Sequence, residues 1–498
     1  MARRELVFSS AGDIGQVFAA LSQRFTVQTG NPVHGSWTCL DTPDWRLHHA
    51  GLTLRDARSG RRAELVLANG KSEPLIVLSR VRRWPARVSA LAPSPVRDLL
   101  SGPVGERALL PMAHVEVRSI PMALLDELDK TRVRVRVDLQ RLSGVKGAVH
   151  PLPLRVLITS LRGYEPDADR AAELLTAALP ALETDAPAAT IAMTTAGHEP
   201  GRPGIARPAI DARAPVVRSL VAVLRYQADL ADATVPGVLA DLDPEYLHEL
   251  RASIRATRSV LRLAGHLLPT ARVEQFQEQF AALSTLTAPV RDLDVLLCGL
   301  DGQDFGAADP QPLLRHLRSR RARALHALGA ELSGTDLFGH WHRTLDHADV
   351  PGPRTGPHAV ELAAHAYATV VEAARVGPDA PAGDLHRLRK RAKRMRNLLD
   401  GFADVYEPEA YQGVRRRLKA LQDTLGVIQD GRVREQLLTE AAATLARSGA
   451  DVELVLSIGV VRQRIRADAT AARTELGRRL HRFTGKRMRA HVRALGRG

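Results

Sequence analysis

Only two cysteines, Cys39 and Cys298, occur in 498 residues. So few and so far apart, they exclude a disulfide scaffold and a zinc cluster and fit a reducing cytosol. Aromatic residues make up just 4% of the chain, which argues against a base-stacking platform for single-stranded nucleic acid. No apolar run approaches the roughly 18 residues of a membrane-spanning helix. The N-terminal stretch MARRELVFSS lacks the hydrophobic core of a signal peptide. These absences point to a soluble, cytoplasmic protein with no membrane partner.

What is abundant is positive charge. The formal net charge is +15 and the pI about 10.5, a balance that suits a nucleic acid, a phosphate polymer or an acidic surface. About +4 of it falls in the first 200 residues and about +11 in the rest. The two regions also differ in pattern. TRVRVRVDL (131–139) alternates with period two, putting Arg132, Arg134, Arg136 and Asp138 on one face and Val133, Val135, Val137 and Leu139 on the other, the signature of a half-buried strand. Residues 63–69, 74–80, 114–120 and 152–161 are further strand candidates, 121–129 a weaker one, and 167–179 reads as a helix. Residues 183–212 are rich in Pro, Gly, Ala and Thr and read as a linker. Everything beyond is helical in pattern, broken by loops near 299–310 and 349–357. The stretch from 452 to about 496 reads as one long helix ending in the basic run HRFTGKRMRAHVRALGRG.

The densest basic stretch is LHRLRKRAKRMRNLLDG (385–401), with seven Arg and Lys among the ten positions 387–396. It has a second copy. LHELRASIRATRSVLRLAGHL (247–267) aligns with 385–405 at a shift of 138 residues, so that His248, Arg251, Arg255 and Arg258 match His386, Arg389, Lys393 and Arg396. The same shift aligns 280–294 with 418–432 and matches Asp292 to Asp430. On a helix, offsets of 0, 3, 7, 10 and 14 fall within an arc of roughly 80° over about 21 Å. His248, Arg251, Arg255, Arg258 and Arg262 therefore form one stripe, and His386, Arg389, Lys393 and Arg396 its twin. Leu247, Leu250, Ile254, Leu261 and Leu263 lie largely off the stripe and can anchor the helix. One cationic stripe is ordinarily a solvated face. Two of the same spacing, set opposite one another, make a groove or pore for a flexible polyanion with one charge per monomer. The two histidines read either as helix-start residues that cap or pack, or as phosphate contacts that strengthen on protonation. Asp292 and Asp294 are placed to orient arginines rather than to bind metal.

His248-x-x-Arg251-x-x-x-Arg255-x-x-Arg258-x-x-x-Arg262, followed by Arg291-Asp292-Leu293-Asp294-Val295 and by the second copy with its Lys419–Asp430 segment, resembles the CHAD family of conserved-histidine α-helical domains. The resemblance covers about 212–498. It implies two four-helix bundles related by a pseudo-twofold axis around a basic pore. It also implies inorganic polyphosphate as partner, held by the basic residues of these helices, Arg291 and Lys419 among them. The second copy departs from the pattern at Asp400, in place of the fifth cation, and at Gln429, opposite Arg291.

CLDTPDWRLHHAGLTLR (39–55) resembles a segment of the CYTH family, the triphosphate tunnel enzymes, and so implies an eight-stranded tunnel with inward cations and metal-binding carboxylates. Where such an enzyme carries Glu-x-Glu-x-Lys, this chain has Arg3, Glu5 and Val7. Its late strand has Leu157 and Thr159 in place of two acids, and 151–164 contains no acidic residue. A magnesium or manganese ion needs oxygen ligands, so such a cofactor is expected only if the barrel is active, with Glu64 or Glu116 as substitutes. Arg55, Arg118, Arg132, Arg134 and Arg136 remain as barrel cations that could hold phosphate.

The expected architecture is α+β and multidomain. An antiparallel β-barrel of CYTH-like type spans 1–182, a linker 183–211, and an all-α duplicated domain 212–498, with repeats at about 212–348 and 349–498. The expected function is polyphosphate binding, at polyphosphate granules, with no catalytic residue and no resident metal. The alternatives are a metal-dependent triphosphatase or polyphosphatase using the barrel, and a nucleic-acid-binding basic protein.

Overall fold

The computed structural model describes residues 3–9, 13–60, 62–69, 74–79, 83–143, 149–182, 186–202, 204–268, 270–334, 336–346 and 352–496. Arg80 of the expected strand 74–80, residues 183–185 and 203 of the expected linker, and residues 349–351 of the expected loop lie outside them. The chain forms two compact units, 1–204 and 205–498.

The first unit is built on a curled antiparallel sheet. In chain order it contains β1 (Arg3–Phe8), α1 (Ile14–Ser22), β2 (Thr26–Thr29), β3 (Val33–Asp41), α2 (Arg46–His49), β4 (Leu52–Ser59), β5 (Arg62–Asn69) and β6 (Pro74–Ser79). There follow β7 (Ala86–Arg87), α3 (Pro95–Val104), β8 (Ala108–Leu125), β9 (Thr131–Ser143), β10 (Val149–Pro151), β11 (Leu154–Ser160), α4 (Glu165–Ala178) and α5 (Ala188–Thr195). The main path runs β1-β11-β9-β8-β3-β4-β5-β6, and its two outer strands are not paired with each other among the described residues. The expected barrel is therefore a half-barrel, open between β1 and β6. The weaker strand candidate at 121–129 is the end of β8, which runs on to Leu125.

Alternation sorts the faces. Val133, Val135 and Val137 of β9 are buried against Val17 and Leu21 of α1 and Ala168 and Leu175 of α4. Pairing of Arg136 with Leu157 and Pro121, and of Glu5 with Leu157, puts Glu5, Arg136 and Leu157 on the other, concave face. Within the segment expected as a linker, Ala188, Ala189, Ala192 and Met193 of α5 pack on Trp37, Cys39 and Val115 of the sheet.

The CYTH-like segment 39–55 forms the turn from β3 through α2 into β4. The Asp41 carboxylate accepts backbone N–H bonds from Thr42 at 2.7 Å, Leu47 at 2.9 Å and His48 at 3.0 Å. Asp41 is buried, and burial raises its pKa against the pull of those three donors. The distinctive residues of this segment thus fix a turn.

The second unit is helical. Its helices are α6 (Val216–Leu239), α7 (Pro244–Ala264), α8 (Thr270–Leu300), α9 (Gln311–Gly334), α10 (Leu337–Asp346), α11 (Thr355–Ala374), α12 (Ala382–Gly401), α13 (Pro408–Arg447), α14 (Val452–Thr484) and α15 (Lys486–Ala494). A shift of 138 residues carries α6, α7, α8 and α9 onto α11, α12, α13 and α14. The core repeats with it. Leu247, Leu250, Ile254 and Leu261 are buried on α7, as are Leu385, Leu388, Ala392 and Leu399 on α12. Leu263 is partly buried. The long C-terminal helix expected over 452–496 is broken at Gly485, whose extended backbone separates α14 from α15. Among the described residues, no helix is long and apolar enough to cross a membrane.

Candidate functional site: a cationic seam between two helices

α7 and α12 pack directly on one another. Asn397 of α12 donates to the Ser259 hydroxyl at 2.9 Å and to the Arg255 carbonyl at 3.3 Å, both on α7. This contact brings the two basic stripes together. Arg255 is lowered to about 10, first by burial, then by Arg251 and Arg291 of its own repeat and by Arg389 and Arg396 of the other. Lys393 is lowered to about 7 by burial, then by Arg389 and by Arg255 across the seam. His248 is pushed down to about 4 by burial and by Arg291, Arg255, Arg251 and Lys393. It is neutral at pH 7, so it is no cation in the free protein. Burial and Lys390 also lower His386, which Gln429 hydrogen-bonds.

The carboxylates coupled to these cations are few. Arg389 forms an ion pair with Asp430 at 3.2 Å, and its repeat-mate Arg251 feels Asp292. Asp292 and Asp430 repel each other. Arg251 also donates to the Thr287 hydroxyl at 2.8 Å, and Arg389 to the Leu425 carbonyl at 3.0 Å. Asn397, Thr287 and Leu425 carried no sequence signal. Gln422 joins them by accepting from Arg396 at 3.3 Å. A cleft of about 400 Å³ opens beside the second stripe, lined by Arg389, Lys393, Arg396 and Arg434 and by Asp423, Asp430 and Asp468.

Eight expected residues thus form one coupled set: His248, Arg251, Arg255, Arg291, His386, Arg389, Lys393 and Arg396. Arg258 and Arg262 form a separate end of the band with Arg394 of α12. Asp400 ties the Arg396 end, bonding Arg396 and Arg415 at 3.3 Å each. Lys419 is apart, in an exposed pair with Asp423 at 2.6 Å. Asp294 is buried and bound to Arg321, which also holds Asp241 through two bonds of 2.7 Å. It orients an arginine, as its place in the chain suggests.

The first unit has its own concave cleft, of about 720 Å³, lined by Arg3, Glu5, Arg55, Arg136, Asp138 and Arg155 among others. Arg55 and Arg136 of the expected barrel cations reach it. Register puts Arg134 on the same face, opposite Thr159. Arg132 pairs with Asp126 and Asp167 and lies over the Tyr164 ring. Arg118 lies on the opposite face with Glu116. Sequence reasoning missed Arg155, which is 8% exposed and faces inward. Its Nη1 donates to Glu5 at 2.6 Å, while its Nη2 is buried without a partner. Burial lowers the Arg55 pKa and Arg155 lowers it further.

These residues do not fit a divalent cation. Glu5 is paired with Arg155, and Asp138 is held by Arg136 at 2.9 Å and by the Ser119 hydroxyl at 2.6 Å. Val7 and Leu157 face the same side without oxygen donors. Ligands for a hard cation should be free oxygens, and both carboxylates lining this cleft are committed to arginines; Glu64 lies opposite Ala57 on the same face but does not line the cleft. Burial also raises the Cys39 thiol to about 12, leaving it inert as a nucleophile.

Residues 222–439 match the family model of the CHAD domain. Among solved structures, the chain is similar to the CHAD domain from the plant Ricinus communis, at 22% identity over 58% of this chain and 96% of that one, with a TM-score of 0.42. It is also similar to PptA from Streptomyces chartreusis, at 21% identity over 53% of this chain and 99% of that one, TM-score 0.42. A putative adenylyl cyclase from Hippeastrum, described by a dominant triphosphatase activity, matches at 12% identity over 39% of this chain and 95% of that one, TM-score 0.25. No curated protein matches the chain. The curled antiparallel sheet of the first unit is compatible with a CYTH-like tunnel domain.

Proposed function

We propose, from the premise that residues 222–439 are a CHAD domain, that the chain binds inorganic polyphosphate along the seam between α7 and α12. The observation that carries this reading is the direct packing of α7 on α12 through Asn397, which sets Arg251 and Arg255 of one stripe against Arg389, Lys393 and Arg396 of the other. Like charges held this close destabilise the fold unless an anion lies between them. Successive phosphates would neutralise them and release counterions, as on other polyanions. Arginine forks suit phosphate oxygens through paired hydrogen bonds. A place at polyphosphate granules in the cytoplasm follows from the same reading.

A titration of the purified chain with long-chain polyphosphate, at two salt concentrations and with duplex DNA as competitor, tests it. The expected result is binding that weakens steeply with salt and that DNA does not displace at equal phosphate concentration. Easy displacement by DNA would make the seam a general basic surface and favour the nucleic-acid reading instead.

A further inference from the structure

The basic run at the C-terminus takes no part in the seam, yet it is not a loose tail. Met488 and Leu495 are fully buried, and Val492 is nearly so. They anchor α15 to the core of the second unit. The helix lies hard against α13: a Cβ at Gly413 would come within 2.7 Å of the His491 ring. The Glu407 backbone N–H donates to the Leu495 carbonyl at 3.0 Å, closing the end of the contact.

This docking brings two sets of cations together. Arg417 of α13 is lowered by burial and then by Arg487 of α15 and Arg416. His491 is lowered by burial and by Arg417, Arg487 and Arg416, with Glu407 as the opposing charge. Arg416, Lys486 and Arg487 are exposed. Among the described residues, none of Arg416, Arg417, Lys486 and Arg487 forms an ion pair, whereas their neighbours Arg415 and Lys419 do.

The patch is joined to the seam. Arg415 shares Asp400 with Arg396. At about 100° per residue, Arg415, Arg416 and Arg417 sweep about 200° around α13. Val414, Leu418 and Leu421 occupy the remaining, buried side. A basic path therefore leaves the seam at Arg396, rounds α13 and reaches α15.

We propose that the α13–α15 patch is a second polyanion site, which takes the part of a long polyphosphate chain that overhangs the seam. This rests on the seam reading. Polyphosphate fits the path better than duplex DNA does, because a flexible chain can bend around a single helix. Tethering at the first site raises the local concentration at the second, so long chains gain affinity that short ones do not.

The test uses the full chain, tripolyphosphate as the short probe and long-chain polyphosphate as the long one, with affinities expressed per phosphate. The triple variant R416E/R417E/R487E should bind tripolyphosphate as the unmodified chain does. It should lose about tenfold in the advantage of the long probe over the short one. An unchanged advantage in a folded variant overturns the proposal. Acetylation of Lys486 supplies a readout that needs no substitution. Long-chain polyphosphate should protect this lysine and tripolyphosphate should not. Lack of protection by the long probe, or protection by duplex DNA at concentrations where polyphosphate gives none, also overturns it. Failure of the seam reading looks different, since tripolyphosphate would then be unaffected by Lys393→Gln.

Discussion

Lys393 gives the seam a pH dependence that can be worked out in advance. In the free protein it sits at about 7, through burial and the arginines around it. A bound polyanion supplies the missing counter-charge and returns it toward the ordinary lysine value. The sign follows: the complex holds a proton that the free protein has partly lost, so binding takes up protons and weakens as pH rises past 7. At pH 7 the uptake should be about 0.5 proton and at pH 8 about 0.9, with affinity falling about fivefold, or ~1 kcal/mol, between the two. His248, held at about 4, is neutral in the free protein across this window; if binding restores it to an ordinary histidine value it adds about 0.2 proton at pH 7 and almost none at pH 8. Calorimetry in buffers of different ionisation heat measures the uptake directly. Lys393→Arg should keep the affinity and flatten the pH dependence. Uptake of no protons and equal affinity at both pH values would refute the reasoning, because Lys393 would then be charged in the free seam or outside the site. For folding the sign is opposite. Lys393 is depressed in the folded state, so the unfolded chain binds more protons between pH 7 and the ordinary lysine pKa, and this residue makes stability rise with pH there.

Other consequences can be checked by substitution. Arg255→Glu or Arg396→Glu should weaken polyphosphate binding about tenfold or more and lower the salt slope by about 0.7 per lost contact, read from titrations at several salt concentrations. Leu250→Ala and Leu388→Ala, at repeat-related positions that are fully buried, should each cost about 2–5 kcal/mol in denaturant unfolding. Asp294→Ala should cost about 3 kcal/mol or more by leaving Arg321 with less of its counter-charge, yet leave polyphosphate affinity unchanged. Asp41→Ala should destabilise the first unit by about 1–3 kcal/mol, since three backbone donors lose their acceptor, with no effect on binding at the seam.

Much of the second unit was legible because its information is periodic. The 138-residue shift aligned the stripes, and the same shift relates the helices and their buried leucines. The spacing also put His248 beside the cations, but burial keeps it neutral, which spacing alone does not reveal. What closes the seam was not legible. Asn397 is an isolated amide in a basic run, and Thr287 and Leu425 act through a hydroxyl and a carbonyl that any residue context could carry. In the first unit, the period-two row placed Arg136 correctly, and the positions of Arg3, Glu5 and Val7 share one face. Arg155 was readable from the same alternation, two residues before Leu157, but the search there was for acids. α5 escaped because four small or apolar residues in a Pro-rich stretch make too short a pattern. The break at Gly485 was hidden inside an otherwise continuous helical period.

The most direct measurement is a crystal structure of the chain bound to polyphosphate. The account requires phosphates between α7 and α12, with oxygens about 3 Å from Arg255, Arg389 and Lys393. Phosphate density confined to the cleft of the first unit or to exposed lysines, with the seam vacant, would contradict it.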